Sequence, residues 1–307
     1  MAALKAFEEV TKLNEKHYYA IYQVGEIFYE LGMYDNAIKQ FTNCLEILKR
    51  EMDDDSASFL YVPSFYGLIC SNFDLGKKYF YEGMHGSSFQ LFSHVISLYD
   101  KLLEDLKENQ QLLKCATINP KDLIGIQKLF GDLHTFYFFL PSSLFSKESP
   151  VECKVEQISR GTQYYNQLVK ILEEKNQQKS VDISLPHYDC GVNYFYQAQV
   201  ISKYYPLEKS SEIEKLYQKS SECFKKALSY DPNNSNYWNA LGIVEKDCKI
   251  QQHCFLKSIQ IDPRSGKSWI DLGVLYLKNG LFEEANKAFI TAQTVQSNMA
   301  EAWLGFA

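Results

Sequence analysis

The chain has 307 residues, a net charge of −6 and a pI near 5.6, a balance without the clustered basic surface that phosphate backbones require, so strong independent nucleic-acid binding is not expected. Gly (15) and Pro (8) are sparse, and Asn-Gly occurs once, at Asn279-Gly280 within a helical pattern, which reads as an almost entirely helical chain. At this length the choice lies between two compact domains and one elongated repeat array, and the composition favours the array.

Residues 1–17 space Ala6 and Val10 helically and read as a capping helix or the second helix of a preceding repeat. The same segment carries charges where a secretory leader needs an apolar run, so no leader is expected. In residues 18–51, Gly25, Phe28, Gly32, Ala37 and Phe41 set a register that returns at the far end of the chain. The uncharged run from Ser56 to Phe73 contains four Ser, Asn72 and Pro63 and falls short of a membrane span.

Residues 69–102 hold the register through Leu75, Gly76, Tyr79, Gly83, Ser88, Phe92 and Val95. Residues 124–173 form a third unit with an insertion: Gly131 and His134 mark its first helix, which stops at Pro141, and Gly161, Tyr165 and Leu168 mark its second. Residues 184–233 form a fourth, with Gly191 and Tyr194, the interruption YYPLEKSSE, then Phe224, Ala227 and the terminating Pro232. Exposed loops or extended helix ends are expected near 103–123, 141–153, 174–183 and 204–213.

Residues 235–265 start with Trp238, Leu241 and Gly242 and close with Phe255 and Pro263. This fifth unit is three residues short, with Glu245 where an aromatic is expected, so either its hairpin connection is compressed or the sequence carries a splicing irregularity. Residues 266–299 hold the full pattern: Trp269, Leu272, Gly273, Tyr276, Gly280, Ala285, Phe289 and Ala292. Trp303 lies 34 residues beyond Trp269 (303 − 269), and residues 300–307 open a further unit with Glu301, Trp303 and Leu304 that stops at Ala307, which reads as a piece of a longer chain.

Gly273 stands inside a predicted helix, where glycine costs about 1 kcal/mol relative to alanine. The spacing supplies the reason. Gly273 and Ala285 are small where two helices of a hairpin approach, and a larger residue there would overpack the crossing at roughly 1–3 kcal/mol.

Chemistry is thinly represented. His17, His85, His94, His134, His187 and His253 are isolated in sequence, and no phosphate-binding glycine loop occurs, so neither catalysis nor a cofactor is expected. Cys248, His253 and Cys254 cluster locally, but adjacent His253 and Cys254 point about 100° apart on a helix, which suits buried thiols better than a metal site. Asp53, Asp54 and Asp55 read as a solvated helix end. The eight cysteines contain no CxxC pair and read as reduced.

The 34-residue register resembles the tetratricopeptide repeat, two antiparallel helices per unit. The resemblance implies an all-α tetratricopeptide-repeat α-solenoid, a right-handed superhelix of antiparallel helix pairs. Inner faces of such arrays hold partner segments. On that geometry the candidate partner-binding residues are Tyr19, Tyr22, Glu26 and Tyr29 in the first unit, Tyr188, Phe195 and Tyr196 in the fourth, and Lys267 and Ile270 in the sixth. The Lys/Asn/Arg clamp by which some tetratricopeptide domains hold acidic C-terminal tails is not expected, since its sites fall on Tyr22, Glu26, Ile270 and Val274.

Within residues 187–306 the strings NYFYQAQ, ECFKKALSYDPNNSNYWNALGIV, QHCFLKSIQIDP and SWIDLGVLYLKNGLFEEANKAFITAQ resemble the tetratricopeptide scaffold subunit of the Superkiller (Ski) complex. SFYGLICSNFDLGKKYFYEG and KLFGDLHTFYFFLP are similar to the same family's more divergent repeats. The resemblance implies a noncatalytic scaffold, part of a much longer chain. It would join an RNA helicase subunit and WD-repeat subunits, and indirectly serve the RNA exosome in 3′-to-5′ decay. The expected compartment is the cytoplasm, with the nucleus second, and no membrane partner. Ser297 departs from the helix-stopping Pro of the pattern. Two alternatives remain open on the residues alone: a peptide-binding adaptor sharing only the repeat, and the regulatory repeat region of an enzyme.

Overall fold

A computed structural model describes residues 2–51, 55–109, 112, 114, 121–175 and 183–296. The described residues fall into two compact units, one containing the chain up to Leu133 together with Phe139–Pro150, the other His134–Phe138 together with the chain from Val151 onward. The first unit holds α1 (Ala2–Leu13), α2 (Tyr18–Glu30), α3 (Tyr34–Arg50), α4 (Asp55–Tyr81), α5 (His85–Glu108) and most of α6 (Lys121–Phe136). The second holds the end of α6, then α7 (Pro150–Lys175), α8 (Ser184–Tyr204), α9 (Ser210–Tyr230), α10 (Ser235–Val244), α11 (Cys248–Ile261), α12 (Gly266–Lys278) and α13 (Phe282–Val295). Consecutive helices pack as pairs, α2 with α3, α4 with α5, α8 with α9, α10 with α11 and α12 with α13.

Each pair is closed by the same device. A Cβ placed on Gly25 would stand 2.9 Å from the Phe41 ring, on Gly76 2.5 Å from Phe92, on Gly191 2.6 Å from Phe224, on Gly242 2.6 Å from Phe255, and on Gly273 2.7 Å from Phe289. The phenyl ring therefore occupies the space a side chain would fill. All five rings are 4% exposed or less, and burying such a ring is favourable by roughly 2–3 kcal/mol, more than the glycine's propensity cost. Phe41 serves two crossings, because Gly67 of α4 also lies against it, 2.5 Å from an added Cβ. One ring thus joins the α2–α3 pair to the next helix.

Helix ends are set by local chemistry. Gly32, Gly83 and Gly280 take φ of +72°, +80° and +74°, with nothing within 4 Å of an added Cβ. Their backbone conformation, not crowding, calls for glycine. The N–H of each donates to a carbonyl three residues back, and the next residue's N–H to one five back, as in Met33 to Phe28 (2.9 Å) and Leu281 to Tyr276 (2.9 Å), the arrangement that satisfies orphan carbonyls. At the starts, Ser265 Oγ accepts from Ser268 N, and Asp247 Oδ1 accepts from Lys249 N at 2.7 Å, filling donors the helix cannot use.

The tryptophans that display the period have a structural role. Trp238 Nε1 donates to the carbonyl of Pro232 (2.8 Å) and Trp269 Nε1 to that of Pro263 (3.2 Å). Each pins the start of a pair to the proline that ended the previous one.

The short unit is resolved differently from the expected compression. The connection Glu245–Asp247 between α10 and α11 has as many residues as Asn279–Leu281 between α12 and α13, while α10 has 10 residues against 13 in α12. The shortening lies in the first helix. Without a left-handed glycine at its end, α10 stops as Glu245 turns extended at φ −69°, ψ 152°.

Other departures concern helix length. The register from residue 69 falls in the second half of α4, which starts at Asp55, and Gly131 lies ten residues into α6 (131 − 121). Burial on several sides of α4, at Tyr61, Val62, Phe65, Leu68, Ile69 and Phe73, accounts for the apolar run and outweighs the helix-breaking tendency of Pro63, which sits inside it. The segment near 141–153 contains the 3₁₀ turn Ser142–Leu144 and then enters α7 at Pro150. Asp53, Asp54, residues 176–182, Ser297, Glu301, Trp303, Leu304 and the 300–307 unit lie outside the described residues.

Candidate partner-binding faces

On α2, Tyr19, Tyr22, Glu26 and Tyr29 recur about once per helical turn and build one stripe. Tyr19 is 49% exposed. The Tyr22 ring lies 5.9 Å from Phe41, so its base is part of the pair's interior. Tyr29 reaches the next pair: its hydroxyl donates to Asp74 Oδ2 of α4 at 2.6 Å, and Asp74 also pairs with Lys77. Burial first, then the Asp74 carboxylate, push the Tyr29 hydroxyl well above its ordinary value, so it remains a donor at all working pH. A cavity of about 610 Å³ opens here between Tyr34, Asp74, Lys77, Lys78 and Tyr81.

On α8 the three aromatics divide. Tyr188 stacks on Tyr237 (4.8 Å, 28°) and packs on Phe224 (5.5 Å), and Phe195 packs on Tyr217 (6.2 Å). Both belong to the margin of the core shared by α8, α9 and α10. Tyr196, 100° further round the helix, stacks instead on Phe138 at 4.1 Å and 11°. The three side chains do not form one face.

On α12, Lys267 is exposed while Ile270 is 7% exposed and packs with Ala285, Phe289 and Ala292. Ile270 is therefore corrected to an interior residue of its own pair, unavailable to a partner. Its neighbour Asp271 takes the inter-pair role: Asn239 Nδ2 of α10 donates to Asp271 Oδ2 at 2.9 Å. Burial raises the Asp271 carboxyl, against the lowering effects of Asn239 and Lys267.

Asp74 and Asp271 carry no motif of their own, yet each lies two residues before a pair's glycine (76 − 74, 273 − 271) and accepts from the preceding pair's first helix. Asp189 has the same position before Gly191. That offset was the available signal. A further feature tied to the short unit is Glu245, whose carboxylate accepts from Ser221 Oγ (2.7 Å) and Lys225 Nζ (2.7 Å). A cavity of about 380 Å³ opens beside it, lined by Tyr217, Ser221, Lys225, Lys246 and Asp247.

Four histidines make structural contacts. His17 Nδ1 caps α2 by accepting from Ala20 N. His134 is 1% exposed and stacks on Tyr164 (5.5 Å, 11°), and burial lowers it to about 4. His187 stacks on Tyr230 and His253 meets Trp238 edge-on, while Cys248 is exposed and Cys254 buried. Among the described residues no three His, Cys, Asp or Glu side chains stand together as a metal would need. Among the same residues no helix is long and apolar enough to cross a membrane.

Sequence profiles of the tetratricopeptide repeat match residues 254–285 and, in a second form, residues 18–47 and 212–234. The matches fall on the helices that the Gly–Phe crossings pair. The chain is an all-α tetratricopeptide-repeat protein.

The tetratricopeptide-repeat chain is similar over 99% of its length to Superkiller complex protein 3 of Homo sapiens (33% identical) and of Mus musculus (30%), and to tetratricopeptide repeat protein 37 of Xenopus laevis (27%). It spans 18% of the length of each of these relatives. Two solved structures share the fold. The C-terminal part of a repeat protein from Cytophaga hutchinsonii has a TM-score of 0.51 at 13% identity, covering 99% of this chain and 93% of that one. An assembly chaperone of RpL4 has a TM-score of 0.51 at 12% identity, covering 93% and 92%.

Proposed function

We propose that the chain is a noncatalytic segment of a Superkiller-type scaffold, holding other subunits in place for cytoplasmic RNA decay. The observation that carries this reading is similarity to Superkiller complex protein 3 along 99% of the chain at 33% identity, on an array whose helix pairs are joined by structural contacts. The partners proposed are an RNA helicase subunit and WD-repeat subunits, with the RNA exosome as the downstream 3′-to-5′ nuclease.

Physically, a scaffold needs rigid pairs and exposed faces between them. The Gly–Phe crossings supply the first. For the second we propose the stripe of Tyr19, Tyr22, Glu26 and Tyr29, together with Tyr196 and Lys267, as the partner-facing residues. Affinity capture from cells tests the reading: recovery of an RNA helicase and a WD-repeat protein supports it, and their absence under mild salt counts against it. A Tyr19→Ala, Lys267→Ala variant that folds normally and captures both partners undiminished would remove these residues from the contact set.

A further inference from the structure

A cavity of about 340 Å³ opens at the end of α8, lined by Phe138, by Lys154 of α7 and by Gln199, Ser202, Lys203 and Tyr204 of α8. All of these residues belong to the second compact unit. Lys154 is 7% exposed, whereas lysine is seldom buried so far, because its ammonium gives up water. Its Nζ stands 5.7 Å from the centroid of the Phe138 ring, within reach of a cation–π contact, and Phe138 is itself fixed by stacking on Tyr196. Lys203 lines the same cavity from an exposed position, with its Nζ 5.7 Å from the Tyr204 ring. Gln199 is oriented by the bond from its Nε2 to Tyr217 Oη at 2.9 Å.

The charges here have one sign. Among the described residues that line the cavity there is no carboxylate, and Glu152, two residues before Lys154, accepts instead from Tyr205 Oη at 2.5 Å. Burial first, then Lys203, lower the Lys154 ammonium to about 8, so it is still mostly protonated at neutral pH. A cavity that holds two like charges, one of them stripped of water, gains most from an anion that enters between them.

We propose that this cavity is a carboxylate site that holds a Glu or Asp side chain from an acidic segment of a protein partner. Lys154 pairs with the carboxylate at the buried end, where water competes least, and Lys203 pairs with it at the mouth. Tyr204, 46% exposed, offers its ring to the flanking residues of the segment. A nucleic-acid strand fits less well, because its binding grows with the number of phosphates neutralised, and two lysines on a chain of net charge −6 neutralise few. The site differs from the inner-face Lys/Asn/Arg clamp, since Lys154 lies on the second helix of its unit. It is argued from the cavity alone and stands apart from the Superkiller reading, so failure to capture a helicase would leave it untouched.

The test measures binding of a fluorescein-labelled Glu-Glu-Tyr-Glu-Glu peptide to the folded 307-residue chain by anisotropy at neutral pH and low salt, beside the same peptide with Gln for every Glu. The Glu peptide should bind and the Gln peptide should not. Lys154→Gln should weaken binding roughly tenfold or more, as for loss of a charge-assisted hydrogen bond, and Lys203→Gln about two- to fivefold, as for a more exposed pair. Lys257→Gln, the same charge change on the exposed side of α11, should change it less than about twofold. Should Lys154→Gln fail to fold, protection of Lys154 from an acylating reagent by the Glu peptide, read by mass spectrometry on the wild-type chain, replaces it. No binding of the Glu peptide, equal binding of the Gln peptide, or equal weakening by Lys257→Gln would overturn the proposal. So would a Lys203→Gln variant that loses stability but binds undiminished, its charge then serving only the end of α8, or displacement of the peptide by inorganic phosphate or oligouridine RNA at lower concentration than by free Glu peptide.

Discussion

Gly242 and Phe255 pack as closely as Gly273 and Phe289, 2.6 Å against 2.7 Å from an added Cβ, although 13 residues separate the first two (255 − 242) and 16 the second (289 − 273). The three residues lost from α10 left the crossing untouched. What the repeat preserves is the contact between small residue and ring, and helix length adjusts around it.

Gly273 therefore tolerates no side chain. Gly273→Leu is expected to destabilise the C-terminal pair by roughly 1–3 kcal/mol through overpacking, while Lys278→Leu, at an exposed position of the same helix, should stay within about 0.5 kcal/mol. Urea unfolding of the two variants checks this, and equal midpoints would contradict it.

Gly280 is needed for a different reason. Its φ of +74° with open space around it makes Gly280→Ala a test of backbone conformation alone, at an expected cost of about 1–2 kcal/mol. Gly280→Asn should cost less, because Asn enters this region more readily. Thermal melts of both variants in parallel settle the order.

The repeat was legible in sequence because the Gly, Phe and Trp positions are spaced by packing that recurs. Gly25 with Phe41 and Gly273 with Phe289 could be matched from opposite ends of the chain, since each pair obeys the same crossing. Helix starts at Asp55 and Lys121 were not legible, because a helix lengthened by burial on several sides leaves no cap signal at the register position. The faces were half legible. A stripe on α2 follows from spacing, but whether Ile270 points at a partner or at Phe289 depends on neighbouring helices, which no single-helix pattern contains.

Tyr29 couples the first two pairs. Tyr29→Phe removes the donor to Asp74 and keeps the ring against Tyr34, at 5.8 Å. A loss of about 1–2 kcal/mol is expected, as for a hydrogen bond to a charged acceptor that retains a second partner in Lys77. In an Asp74→Asn background the same change should cost less, and a double-mutant cycle by chemical denaturation measures the difference.

Glu245 gives the short unit a pH dependence. Burial raises its carboxyl, but hydrogen bonds from Lys225 and Ser221 outweigh burial and hold it below the ordinary value of 4.5. A depressed folded value means the contribution is fully present above pH 4.5 and is lost as pH falls through the folded value. Glu245→Gln should be less stable than wild type at pH 7, with the difference shrinking below pH 4.5. A constant difference across that range in pH-dependent melting would contradict the assignment.

The ring-in-glycine crossing is tested most directly in the shortened unit, by a double-mutant cycle of Gly242→Ala and Phe255→Leu read from urea unfolding. The predicted result is coupling: Gly242→Ala costs roughly 1–3 kcal/mol when Phe255 is present and much less once the ring has been replaced. Costs that add to within about 0.5 kcal/mol would show that these two residues do not hold the pair together, and the account of how the array is built would fail.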